Sequence, residues 1–339
     1  MPAGPAEPVR SGLPVRSLPS LVLDFKFASA CTVAAMRAVV FDRYGPPEVL
    51  RVDELPDPLP GPGQVRVRVR AAGVQPFDVG VRNGSMRHLP VRFPQQIGQE
   101  YSGVVDLLGA GVSVPGVEVG TAVLGSTMLN GHASAVVVPM EDLVLKPDHL
   151  DFPTAAGLVA AAQTASGALL ELRVGAGDVL LVHAAAGSVG TVAVQLARLA
   201  GATVIGTASP ANHDYLRQLG AIPVAYGDGL VADVRSAHGR APTVALDAAG
   251  GAAIGQSVEL GIERDRIGTI VDDKAAAEHG TRVVRAGRSP ARLAEVIALA
   301  ERGVVIMGVR AYPLSDVVAA HAAVESRHGR GKVVLVVEP

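Results

Sequence analysis

The chain has one cysteine, Cys31, and no tryptophan among its 339 residues. A single thiol excludes a disulfide framework within the chain. It also excludes a structural zinc held by four thiolates. Charge is scarce and balanced: 30 Lys and Arg against 32 Asp and Glu leave a formal net charge of −2. No basic field is present to attract nucleic acid or an anionic membrane surface, so neither is expected as a partner. No run of about 18 apolar residues without charge occurs, so no membrane-spanning helix is expected. No internal repeat occurs.

What is present is globular. Hydrophobic residues make up 49% and charged ones 18%, which gives ample material for a core and argues against disorder. The length suits two domains of ordinary size. Abundant Ala, Gly, Val and Arg with few Lys point to a GC-rich bacterial genome. Residues 1–35 differ from the rest. "MPAGPAEPVRSGLPVRSLPS" is rich in Pro and Ser and has no period. "LVLDFKFASACTVAA" resembles a signal core ending near Cys31, but Asp24 and Lys26 interrupt it, and Ala28 stands where a larger aliphatic is usual. The expectation is a natural start at Met36, with a disordered tail or a misplaced start before it, and a cytoplasmic protein.

From Met36 to about Leu150 the pattern is short strands and turns. "QVRVRVRAAGV" (64–74) alternates Val and Arg with period two, as a half-exposed strand does. "QEYSGVVDLLGAGV" (99–112) and "HASAVVVP" (132–139) read as further strands, so this region is a small barrel or folded sheet. From about Thr154 the period changes. "TAAGLVAAAQTASGALLEL" is helical, and strands then alternate with helices through "TVALDAAG". That alternation implies right-handed crossovers and a parallel, doubly wound sheet. "SPARLAEVIALAERG" and "PLSDVVAAHAAVESRHGRG" are helical, and "KVVLVVEP" is a last strand.

The segment "LVHAAAGSVGTVAVQLARLAGATVIGTAS" (181–209) is strand, small-residue turn, helix and second strand. Among 39 glycines, Gly187 and Gly190 as a GxxG pair carry little weight alone. Their context carries more. A dinucleotide pyrophosphate sits at a helix N-terminus, held by free backbone N–H groups and the positive end of the helix dipole. Small side chains let it approach, and Gly190 lets the helix pack close to the strand. Ala185 stands where the fingerprint usually has its first glycine. NAD sites normally place an acid at the end of the second strand for the ribose 2′-hydroxyl. Here "GTASPANH" has none, and Asp214 lies beyond it in the next helix, so NADP(H) is favoured.

At this point the residues resemble the medium-chain dehydrogenase/reductases, in the zinc-free quinone oxidoreductase branch that includes zeta-crystallin. "MRAVVFDRYGPPEVLRV", "VRAAGVQPFDVGVRNG", "IGQEYSGVV", the segment 181–209 and "YPLSDVVAAHAAVESRHGRGKVVL" carry the likeness, over nearly all of 36–339. The resemblance implies an α/β protein: a GroES-like, β-barrel-type catalytic domain from 36–153 and 289–339, and a Rossmann NADP-binding domain from 154–288. It implies contacts to NADPH through Ala185, Ala186, Gly187, Ser188, Val189 and Gly190, and through Thr164. Ser209 and Tyr226 match positions near the 2′-phosphate, and Arg327 matches an arginine that reaches it. His213 stands where many members have a lysine, and Gln75 in "QPFD" stands where they have a pocket asparagine. "LGIERDRIGTIVDD" departs from the usual glycine-rich pattern.

The implied activity is zinc-independent hydride transfer from NADPH to a quinone or an α,β-unsaturated carbonyl, in a homodimer. An enoyl reductase tailoring a natural product and a non-catalytic NADPH-binding protein are the alternatives. Zinc-dependent relatives use thiols in the first domain, where this chain has none, and no histidines pair at HxH or HxxxH spacing. His183 reads as a packed core residue. No general acid stands out: Tyr44, Tyr101 and Tyr312 read equally well as structure, and Asp78 reads as a helix-end brace. Gln75 is the pocket candidate, for a substrate carbonyl or for the start of the following helix. Arg330 is the substitute for Arg327.

Overall fold

In the strand expected at 64–74, Val65, Val67 and Val69 turn into the core while Arg66 and Arg68 face outward. The arginines bond to Asp57 and Asp106, so the outer face of the strand is covered by paired charge. The computed structural model describes residues 35–338 apart from Val114, Ala286 and His328, together with Met1 and Gly4. The expectations for the N-terminal segment, Cys31 included, lie outside the described residues.

The first part of the chain contains β1 (Ala35–Phe41), β2 (Arg51–Pro56), β3 (Gln64–Val74), α1 (Pro76–Asn83), β4 (Gln95–Gln96), β5 (Glu100–Leu108), β6 (Ala122–Ser126), β7 (Ala135–Pro139) and β8 (Val144–Leu145). The strand expected from His132 starts only at Ala135, because the His132 backbone turns to bond Ile97. α2 (Phe152–Glu171) follows, started by Asp151, whose carboxylate accepts from Thr154 N at 2.7 Å. α2 is apolar nearly all round because it is covered over most of its length: β3, β5 and β16 (Lys332–Val336) flank it with α3 (Ser188–Leu199) and α8 (Pro290–Glu301), and only Leu170 near its end is exposed.

The doubly wound part runs through β9 (Val179–His183), α3, β10 (Thr203–Ala208), α4 (His213–Leu219), β11 (Ile222–Ala225), α5 (Leu230–Ala237), β12 (Val244–Asp247), α6 (Ala253–Glu259), β13 (Ile267–Thr269), α7 (Asp273–His279) and β14 (Arg282–Val283). Its six parallel strands lie in the order β11-β10-β9-β12-β13-β14, a dinucleotide-fold order with β9 at the switch point. α8, β15 (Val309–Pro313), α9 (Val317–Glu325) and β16 close the chain.

β16 does not join this parallel sheet. It runs antiparallel to β3 and parallel to β15, within the sheet β15-β16-β3-β5-β6-β8. The chain therefore returns to its first part after the doubly wound part is complete. Leu293, Val296 and Ile297 of α8 lie in one core with α2, α3, β9 and β12. The boundary expected at 289 thus divides α8 from the helices that it packs on.

Candidate active site

β9 is buried along its whole length and delivers the chain into a tight turn. Ala184 takes a left-handed conformation there, φ 58°, a position usually left to glycine. Ala184 N donates to Thr207 Oγ1 at 3.1 Å and Ala185 N to Thr207 O at 3.0 Å, so the turn is tied to β10. Gly187 N donates to Ala184 O at 3.0 Å and begins α3 without any side-chain cap. No acid lies in the first turn of α3. Its first N–H groups have no partner within the helix and carry the positive end of its dipole. A pyrophosphate fits this turn: side chains are absent or small where it would lie, and the donors are fixed in place.

Two glycines make the fit possible. A β-carbon at residue 190 would stand 2.6 Å from Ala185 Cα, and one at 206 would stand 2.7 Å from Ala185 Cβ. A further element is one that sequence pattern does not reveal. Gly331 N donates to Ala186 O at 2.9 Å and pairs with Gly187, so the segment before β16 closes on the turn.

The other expected nucleotide contacts are placed as follows. Thr164 is half-buried on α2. Ser209 directly follows β10 and accepts from Asn212 Nδ2 at 3.3 Å. His213 begins α4, with Nε2 3.3 Å from Ala208 O, and Tyr226 is 59% exposed after β11. Arg327 is exposed beyond α9, and among the described residues no hydrogen bond, ion pair or ring contact ties its side chain to the turn. Arg330 is tied there. Its guanidinium lies 5.5 Å over the ring of Tyr215, whose hydroxyl is 3.0 Å from Thr191 Oγ1 on α3.

A second group of polar side chains collects at the start of β5. Gln75 Nε2 donates to Gln99 Oε1 at 3.2 Å, and Arg288 Nη2 donates to the same oxygen at 3.0 Å. Arg288 Nη1 donates to Ser126 Oγ, which also accepts from Gln163 Nε2 at 3.1 Å. Gln163 Oε1 accepts from Ser289 N at 2.8 Å. Of these, sequence reasoning found Gln75 alone. Gln163 neighbours Thr164 on α2, and Gln99 neighbours Glu100. Glu100 is paired with Lys332, next to Gly331, so a short series of contacts links this group to the turn.

Behind it lies a buried ionisable layer. The Glu100–Lys332 pair is at most 3% exposed, and Glu100 Oε2 also accepts from Ala160 N at 2.8 Å. Asp78 is fully buried and accepts from Gln75 N at 2.9 Å, the bracing role expected of it. Burial pushes its carboxyl up to about 7. Burial pushes His132 down to about 4, with its Nε2 3.0 Å from Gly73 O. His183 is buried on β9 with Nε2 2.9 Å from Ser257 Oγ, and burial lowers it to about 4. Tyr101 fits a structural role better than that of an acid: it is fully buried, its hydroxyl has no partner among the described residues, and burial raises it above its ordinary value. Tyr312 lies under Arg310, and Tyr44 packs edge-on against Phe93.

Among the described residues, no group of three His, Cys, Asp or Glu side chains is placed to hold a metal ion. In the first part His132 Nε2 and Asp78 Oδ2 are 3.9 Å apart and fully buried, and there is no thiol among the described residues. This donor set does not fit a catalytic zinc. Among the described residues no helix is long and apolar enough to cross a membrane.

Comparison with known proteins agrees with this architecture. Residues 61–174 match the alcohol dehydrogenase GroES-like domain, and 219–335 match the family described as zinc-binding dehydrogenase. The solved quinone oxidoreductase from Coxiella burnetii is 31% identical, with a TM-score of 0.81 over 90% of this chain and 100% of that one. A solved NAD-dependent alcohol dehydrogenase is 30% identical, with a TM-score of 0.79 over 89% and 100%. The spectinabilin polyketide synthase system protein NorB of Streptomyces orinoci is 34% identical over 302 residues, 82% of this chain and 13% of that protein. The chain spans about half the length, or less, of the curated relatives it matches. From these matches and the two-part fold, the chain belongs to the medium-chain dehydrogenase/reductase superfamily, in its quinone oxidoreductase-like branch.

Proposed function

We propose that the chain is a zinc-independent oxidoreductase that uses NADPH to reduce a quinone or an α,β-unsaturated carbonyl compound. The observation that carries this reading is the small-residue turn Ala184–Gly190, which opens α3 at the carboxyl end of the switch-point strand with Gly331 closed over it. When bound there, a nicotinamide dinucleotide supplies a hydride. The chain supplies placement. The N–H groups of Ser188, Val189 and Gly190 would hold the pyrophosphate, with Thr164 as a further contact. Arg330 offsets a 2′-phosphate, flanked by Ser209, His213 and Tyr226. Gln75 keeps one amide N–H beyond its bond to Gln99, and that donor orients the substrate carbonyl oxygen. With no metal to polarise that oxygen, the substrate must carry its own activation, as quinones and enones do. The same reading assigns 154–288 to nucleotide binding, and 36–153 with 289–339 to the catalytic part.

The test is NADPH oxidation by a panel of quinones and enones, run in parallel with NADH. Turnover of at least one class with NADPH preferred is expected. Nucleotide binding without oxidation of any compound would reduce the protein to a nucleotide-binding module. Elemental analysis showing about one zinc per chain, with activity lost to a chelator, would overturn zinc independence. A second reading, an enoyl reductase acting in natural-product assembly, is favoured by the 302-residue likeness to NorB. Faster reduction of an enoyl thioester than of any quinone in the panel would select it.

A further inference from the structure

We propose that Arg288 is a specificity-determining residue that selects substrates carrying an anionic group, a carboxylate beside the enone or quinone. The inference rests on the oxidoreductase reading above and deepens it. In the doubly wound part and its flank Arg198, Arg235, Arg240 and Arg292 bond backbone carbonyls, whereas Arg266, Arg282 and Arg285 face the carboxylates of Asp178, Glu171 and Asp273. Arg288 does neither. Its partners, Gln99 Oε1 and Ser126 Oγ, are both neutral, and among the described residues no carboxylate lies within 4.0 Å of it. Asp78 feels its charge but is fully buried. Lys332, the other cation nearby, is already paired with Glu100.

The guanidinium is also held in place. Gln99, which it bonds, and Gln163, which shares Ser126 with it, are both 5% exposed. The next residue, Ser289, is bolted to α2 through Gln163 and caps α8 by accepting from Arg292 N at 3.2 Å. Of five guanidinium N–H donors, the two bonds to neutral partners use one on each of Nη1 and Nη2. The remaining donors sit on an exposed side chain that shares Gln99 with Gln75, the residue that orients the substrate carbonyl. A fixed cation with spare donors and no counter-ion is a binding group for a planar anion. Neutral quinones leave it unused.

The test is steady-state kinetics of wild type, Arg288→Gln and Arg288→Lys with a matched pair of substrates. These are 4-phenyl-3-buten-2-one bearing a para-carboxylate, and the methyl ester of that compound. Wild type is expected to favour the acid. Arg288→Gln should lower the acid-to-ester ratio of kcat/KM at least tenfold, and Arg288→Lys should lower it less. An unchanged ratio in Arg288→Gln overturns the proposal. So does a raised KM for the nucleotide with the ratio intact, because the guanidinium then serves a cofactor phosphate. If wild type reduces neither compound, the enone reading fails by itself. Calorimetric titration of acid and ester into the wild type and Arg288→Gln then reads the same ratio as dissociation constants, and equal ratios overturn the assignment of Arg288.

Discussion

A methyl group at residue 190 would meet backbone, not a side chain that could turn away. It would stand 2.6 Å from Ala185 Cα and press on the Ala184 carbonyl oxygen, in a turn already tied to Thr207. Overpacking of this kind costs about 1–3 kcal/mol. Gly190→Ala is therefore expected to lose about that much stability in urea unfolding and to bind nucleotide more weakly by titration. A fully stable variant with normal affinity would show that α3 can slide outward. The arginines are distinguished by contact. Arg330 is stacked on Tyr215 against α3, and Arg327 has no such tie. Arg330→Ala is expected to raise KM for NADPH about tenfold, near 1.4 kcal/mol for one charge-assisted contact, and to leave KM for NADH in place. Arg327→Ala should do neither. An unchanged NADPH-to-NADH ratio of kcat/KM in Arg330→Ala would leave Arg330 a packing residue.

β16 joins parts of the fold that are far apart in sequence. Gly331, just before it, bonds the turn at Ala184–Gly190, and Lys332 enters the interior to meet Glu100 of β5. Glu100 binds α2 as well, through Ala160 N. One carboxylate thus ties β5, β16 and α2 together. Removing one partner of a buried pair leaves the other charge uncompensated, at about 3–5 kcal/mol. Lys332→Met is expected to lose that much in urea unfolding, and Lys332→Met with Glu100→Gln should recover most of it. A single variant as stable as wild type would mean that water reaches Glu100. β3 is the contrasting element. Its alternation is written along the chain, and its limits in the structure are those expected, Gln64–Val74.

The whole molecule stores its buried titratable groups in opposite senses. His132 and His183 are lowered to about 4 and His321 well below 6.5, all chiefly by burial. Groups lowered in this way stabilise the fold above pH 6.5 and lose that contribution as pH falls. Asp78, raised from 3.8 to about 7, does the reverse: its contribution is present at low pH and is lost as pH rises through 7. Between about pH 4.5 and 6, the three histidines take up protons on unfolding and the aspartate releases one, a net uptake of between one and two. Stability is expected to rise with pH there by roughly 2 kcal/mol per unit from these four groups. Asp78→Asn removes the opposing proton and should steepen the slope. Urea unfolding at pH 5 and 6 measures both, and a flat profile in wild type would show that water reaches the histidines.

Several features were settled by the order of residues alone. The Val–Arg alternation of β3, the apolar run of β9, the small residues at 184–190 and the acid-free end of β10 are local patterns, set by side-chain period and size over a few positions. Tertiary structure decided the rest. It placed β16 against β3, closed Gly331 over the turn, and stacked Arg330 on Tyr215. It also assembled Gln75, Gln99, Ser126, Gln163 and Arg288. Gln75 and Gln99 are 24 positions apart, and Gln99 and Arg288 are 189 apart. A glutamine or a serine has no period and no fixed neighbour along the chain. Its role comes from the partners that folding brings within hydrogen-bond distance and from the water that folding removes.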